Sequence, residues 1–257
     1  VLIKDQTSES GHWYDEMGNT AYTTVSKAGK IRPTTLADAK KNNLYPSVTT
    51  VLGVANKGPG LQRWMQEQAI LAALTLPRLE DEEESEWLSR VLSDSRSQGK
   101  QAAERGSAIH AIIESFFDGI LLESVPTYCR NIENALQASY GARLWIPEQS
   151  ASHTELKYGG KVDLHAKADK IKGIPGVVVD FKTKEVLLES VVPYQEHIMQ
   201  MAAYRELLGL EGARCGIMFV NGLTDEVKLC EIPEDELQKG LKCFFHLLRF
   251  YQLKSGL

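Results

Sequence analysis

Asp180 and Lys182 end an apolar run, Val177-Val178-Val179-Asp180-Phe181-Lys182, with the length and composition of a central strand. Side chains in a strand alternate between faces, so Asp180 and Lys182 project from one side and Phe181 from the other. Alone, such a pair reads better as a strand-terminal ion pair or as solvent-exposed charges than as a catalytic site. Asp163, on the polar side of a preceding strand, adds a second carboxylate, because pairing the two strands gathers both carboxylates and the ammonium at one sheet edge. Hard divalent cations such as Mg²⁺, or Mn²⁺ in its place, take carboxylate, carbonyl and water oxygens. Asp163, Asp180 and the Phe181 backbone carbonyl meet that demand. A cation there lowers the pKa of an attacking water and neutralises a phosphodiester, while Lys182 orients the water or stabilises developing charge.

These residues need particular elements around them. Residues 154–168 read as a hairpin turning at Gly159-Gly160, with Asp163 on its second arm. Residues 97–117 have helical apolar spacing and place Gly106, His110 and Glu114 on one face, and residues 194–208 do the same for Gln200 and Tyr204. Further helices are expected over 61–76, ended by Pro77, over 127–137 and over 233–253, with a strand at 215–220. Ser47 or Thr49 is a candidate cap for a short helix, and the first 25 residues read as a hairpin around residues 15–19. The fold class is α/β (α+β), a mixed central sheet flanked by helices, with residues 1–95 as an N-terminal arm and helical elaboration and residues 96–257 as the core.

The 257 residues, 43% of them apolar, suffice for one substantial core and an appended subdomain. A net charge of -5 speaks against a polyanionic partner in aggregate. The charge is unevenly placed, however. Glu80, Asp81, Glu82, Glu83, Glu84 and Glu86 form a solvated helix face or loop, whereas residues 157–184 hold seven lysines against three aspartates. Cys129, Cys215, Cys230 and Cys243 are too dispersed for a zinc or iron-sulfur site and read as isolated reduced thiols, so no iron-sulfur cluster is expected. No apolar window is long enough for a membrane span, and the start lacks a charged, then apolar, leader. Cytoplasmic action in a bacterium or phage-infected cell is the working expectation, with a mature organellar form as the alternative.

Gly160-Lys161-Val162-Asp163 and Val179-Asp180-Phe181-Lys182-Thr183 resemble the "G-x-x-D" and "D-x-K-T" motifs of RecB-type nucleases in the PD-(D/E)XK superfamily. Gly106-Ser107-Ala108-Ile109-His110 upstream and Gln200-Met201-Ala202-Ala203-Tyr204 downstream, the latter similar to the "Q-x-x-x-Y" motif, follow in the family's order. The resemblance extends over about residues 46–253, including Pro46-Ser47-Val48-Thr49, Trp64 and His153-Thr154-Glu155-Leu156-Lys157-Tyr158. It is closest to the group of mitochondrial genome maintenance exonucleases and related phage and bacterial exonucleases.

That resemblance implies a restriction-endonuclease-like core, a metal held by Asp163, Asp180 and the Phe181 carbonyl with His110 beside them, and Gln200 and Tyr204 positioning Lys182 or the nucleic-acid backbone. Glu155, if its strand turns it inward, would hold a second metal or its water. Arg105, Lys157, Lys161 and Lys184 are candidate phosphate contacts, and Trp64 is either a base-stacking platform or a packing anchor. The implied activity is cleavage of single-stranded DNA from a free end, in replication, recombination or repair and alongside proteins of those processes. A structure-specific or restriction-like endonuclease, and an inactive DNA-binding recombination scaffold, are the alternatives.

Overall fold

The computed structural model describes residues 11–55, 59–121 and 123–257, so the outermost part of the expected N-terminal hairpin and Gly58 lie outside the described residues. In chain order the elements are β1 (Trp13–Tyr14), β2 (Thr23–Val25), β3 (Ile31–Pro33), α1 (Leu36–Asn42), β4 (Tyr45–Pro46), α2 (Val48–Leu52), α3 (Pro59–Thr75) and α4 (Glu84–Phe117). There follow α5 (Thr127–Tyr140), β5 (Ile146–His153), β6 (Tyr158–Ala166), β7 (Val177–Thr183), α6 (Gln195–Leu207), β8 (Arg214–Val220), β9 (Val227–Ile232) and α7 (Glu234–Ser255). None of the described helices is long and apolar enough to cross a membrane.

The chain divides into two compact units, Val1–Val54 with Ile113–Leu257, and Ala55–Ile112. The first holds a five-stranded mixed sheet of order β5-β6-β7-β8-β9, antiparallel except for the parallel β7–β8 pair. The unbroken valines of β7 are buried because the strand is central, with neighbours on both edges and helices over it. Val178, Ile217 and Phe219 share one core with Met201, Ala202 and Tyr204 of α6 and Phe244, Leu248 and Tyr251 of α7. Burial of this kind stabilises by about 25 cal/mol per Å² of apolar surface.

Trp13, Ala39, Val48 and Val51 belong to that same core. Residues 11–54 thus pack with the sheet-bearing unit, and the compact units divide at Val54 and Ile113, whereas the sequence pattern places a boundary at residue 95. Ser47 does cap a short helix, accepting the Thr50 N–H at 2.9 Å.

The hairpin turn also differs from expectation. β5 and β6 pair from Ile146↔His165 to His153↔Tyr158, so the turn lies at residues 154–157, with Lys157 at φ 57°. Gly159 and Gly160 are strand residues that admit rings: an added Cβ would stand 2.6 Å from Cγ of Tyr14 at the first and 2.8 Å from Cε1 of Tyr204 at the second.

In the second unit, α3 ends before Pro77 as expected, and α4 begins at Glu84 rather than near residue 97. Its early turns are serine-rich, which lowers helix propensity, yet the Ser89 hydroxyl donates back to the Ser85 carbonyl at 2.8 Å and the helix continues. Glu84 and Glu86 occupy its first turn, where acidic groups complement the helix dipole. Glu82 leaves the acidic stretch to pair with Arg90 at 2.8 Å.

Candidate active site

β7 carries Asp180 and Lys182 on one side, and the Lys182 ammonium lies 2.6 Å from Oδ2 of Asp180. One turn apart on α6, Gln200 and Tyr204 face them. The Gln200 amide ties the group together: Lys182 donates to its Oε1 at 3.1 Å, and its Nε2 donates to Asp180 Oδ1 at 3.0 Å and to the Tyr204 hydroxyl at 3.1 Å. Asp180, Gln200 and Tyr204 are buried, so these bonds act in a medium that screens them weakly.

Asp163 reaches the group through a break in the sheet. The β6–β7 pairing runs as far as Leu164↔Val179, and one step beyond it Asp163 stands opposite Asp180. There the Asp163 carboxylate accepts the Phe181 N–H at 2.9 Å, replacing a strand partner. A residue's N–H and carbonyl leave a strand on the same edge, so the Phe181 carbonyl is directed toward the gap beside Asp163.

Glu148 is the acidic residue that sequence reasoning missed. Pro147↔Leu164 and Gln149↔Val162 pair on either side of it, which puts Glu148 of β5 opposite Asp163, with a carboxylate oxygen of each within 4.8 Å of the other. It has φ 50°, unusual within a strand, and forms an ion pair with Lys161. Placing the turn at Gly159-Gly160 hid this residue. With the turn at 154–157, counting back along the hairpin leads from Asp163 to Glu148.

Glu155, by contrast, is exposed in that turn, at the far end of the hairpin from Asp163. The residue does not lie on the strand that the metal-ligand expectation gave it. His110 and Arg105 stand on α4 and Trp64 on α3, all in the second unit. The Trp64 ring packs near Gly99, 3.7 Å from an added Cβ, and stays 39% exposed, so it is an incomplete anchor. Lys184 lies beyond β7, with its ammonium 5.4 Å from the Tyr194 ring centroid.

Electrostatics in the cluster oppose one another. Burial, then the Asp180 charge, pushes the Asp163 carboxyl well above its ordinary pKa. Burial works to lower the Lys182 pKa, but the Asp180 and Asp163 carboxylates outweigh it and hold the ammonium above its ordinary value. Burial and the same two carboxylates push the Tyr204 hydroxyl up, keeping it protonated. His197, also on α6 and not anticipated from the sequence, falls to about 4 through burial and the neighbouring Lys182 and is neutral near pH 7.

Three neighbouring carboxylates, with Asp163 at a position where ionisation is costly, make a donor set suited to a hard divalent cation. Glu148, Asp163, Asp180 and the Phe181 carbonyl supply only oxygen, which favours Mg²⁺ or Mn²⁺ over softer metals.

Residues 63–228, well over half the chain, match the profile of the family described as the PD-(D/E)XK nuclease superfamily. No curated protein sequence matches the chain. Among solved structures, it is similar to an alkaline exonuclease from Laribacter hongkongensis at 11% identity and a TM-score of 0.38, over 82% of this chain and 92% of that one. It is also similar to a presumptive exonuclease from Eubacterium rectale at 16% identity and a TM-score of 0.38, over 59% of this chain and 68% of that one.

Proposed function

The chain belongs to the PD-(D/E)XK nuclease superfamily, and from that premise we propose that it hydrolyses DNA phosphodiester bonds as a metal-dependent exonuclease acting from single-stranded ends. The observation that carries the reading is that Gln200 holds Asp180 and Lys182 together beside Asp163, whose carboxylate accepts the Phe181 N–H where the β6–β7 pairing stops. Glu148, Asp163, Asp180 and the Phe181 carbonyl would hold Mg²⁺ or Mn²⁺, with His110 added on the motif resemblance. When bound, the cation supplies Lewis-acid charge neutralisation and a more acidic water.

The chain's own groups have separate tasks. Lys182 directs its ammonium protons toward the attacking water and the charge that develops on the phosphoryl oxygens. Gln200 fixes Lys182 so that little reorientation is needed as that charge develops. Tyr204, held protonated, fixes Gln200 in turn. Arg105 and Lys184 are proposed phosphate contacts, and Trp64 a proposed stacking contact. DNA replication, recombination or repair is the proposed setting.

The test compares wild type and Lys182→Ala on end-labelled linear and circular single-stranded DNA, with Mg²⁺ and with chelator. The expected outcome is metal-dependent loss of the linear substrate alone, slowed at least about 100-fold in the variant, the scale of losing one transition-state donor. Cleavage of circles would replace the exonuclease reading with an endonuclease. Binding without cleavage would leave a scaffold.

A further inference from the structure

On the Asp180 side of β7, successive same-facing positions read Asp180, Lys182 and then Lys184, whose N–H continues the parallel ladder by donating to the Val220 carbonyl at 2.9 Å. At about 3.3 Å of rise per residue, Lys184 lies about 13 Å along this line from Asp180. Its ammonium sits over the ring of Tyr194, which is 57% exposed at the start of α6. The Tyr194 ring is 5.2 Å from that of His197, and His197 in turn is within electrostatic reach of Lys182, Asp180 and Lys184. Asp180, Lys182, Lys184, His197 and Tyr194 thus form a continuous path from the carboxylates to an exposed aromatic ring.

The segment between β7 and α6 is firmly held while showing apolar side chains outward. Leu188 is fully buried and anchors it. Lys228 of β9 donates to the carbonyls of Glu189 at 2.6 Å and Val191 at 2.9 Å, and Asn221 donates to that of Val186 at 3.3 Å. Val186, Leu187, Val192 and Tyr194 nonetheless remain more than half exposed. A pinned loop that exposes apolar and aromatic groups beside a cation is preorganised for a ligand with a flat apolar face and a negative charge. His197 adds a donor: its Nδ1 accepts the Tyr194 N–H at 3.2 Å, which in the neutral ring leaves the proton on Nε2.

We propose that Tyr194, Lys184 and His197 form a nucleotide subsite of the active centre, where a base of a single-stranded nucleic acid stacks on Tyr194 and its phosphate is held by Lys184 and the His197 Nε2–H. This rests on the nuclease reading above and adds to it the requirement for an unpaired base, since only an unpaired strand offers a free π-face to the tyrosine. The subsite selects single strands close to the point of cleavage.

The experiment uses the full chain and fluorescein-labelled oligo-dT, read both by anisotropy with Ca²⁺ in place of Mg²⁺ and by steady-state hydrolysis with Mg²⁺. Tyr194→Ala is expected to weaken binding and raise KM about 5- to 140-fold, the span of one lost base–aromatic stack, with kcat changed less than about twofold. Tyr194→Phe, which keeps the ring, should stay within about twofold of wild type. Lys184→Ala should weaken binding and reduce the slope of log affinity against log salt by about one. Wild-type affinity in Tyr194→Ala alongside normal hydrolysis overturns the subsite and spares the nuclease reading. Loss of kcat in both Tyr194 variants shows a structural role for this position and also overturns it. Wild type that neither binds nor cleaves oligo-dT overturns the subsite and the single-strand reading together.

Discussion

Asp163 is placed where a carboxylate is costly to ionise, with burial and the Asp180 charge both holding its proton. Its pKa is raised in the folded state above the ordinary 3.8, so the stability it contributes is complete below that value and is lost as pH rises through the raised one. A cation held there, as proposed, would offset the loss. In chelator, Asp163→Asn should therefore gain melting temperature over wild type as pH rises from about 4 to 8, because its amide oxygen still accepts the Phe181 N–H without the charge. Adding Mg²⁺ should raise wild type and leave the variant nearly unmoved, since binding to the native state alone stabilises it. Melting curves that run parallel at every pH and in both conditions would mean that Asp163 is neither strained nor a ligand.

At the scale of elements, the β5–β6 hairpin decides which acidic residues meet. Its turn at 154–157 sets Glu148 against Asp163 and sends Glu155 to the distant end. The two glycines that resemble a turn serve close packing instead, since Tyr204, which accepts the Gln200 amide proton, occupies the space above Gly160. A methyl at Gly160 must displace that ring. Gly160→Ala is expected to cost about 1–3 kcal/mol, as overpacking does, and to lower kcat by misplacing Gln200. Gly173→Ala is the control: it has a positive φ but open space, so it should strain only its own backbone and leave kcat intact. Denaturant titration with activity on the same samples distinguishes a disturbed site from a general loss of stability.

At the scale of the whole molecule, the sheet-bearing unit is assembled from two distant stretches of chain, residues 1–54 and 113–257. Trp13 and Tyr14 are almost fully buried within it, and Tyr14 fills the space above Gly159. Removing residues 1–54 should consequently abolish cooperative unfolding, because losing two buried aromatic rings at about 3–5 kcal/mol each approaches the stability of a whole domain. A truncated chain that still melts cooperatively near the wild-type temperature would show this segment to be dispensable.

Local pattern by itself determined the elements and the chemistry of β7. Alternation fixed Asp180 and Lys182 on one side, helical spacing fixed Gln200 with Tyr204, and the run of valines marked a central strand, because each follows from backbone periods of two or 3.6 residues. The mixed sheet flanked by helices was legible for the same reason. Register was not, because two glycines can serve a turn or a ring, and only the tyrosines brought against them by tertiary packing decide which. Glu148 went unseen with the register, and the burial of Trp13 went unseen because it depends on partners more than a hundred residues away. The sequence supplied the candidate groups, and long-range packing selected which carboxylates stand together.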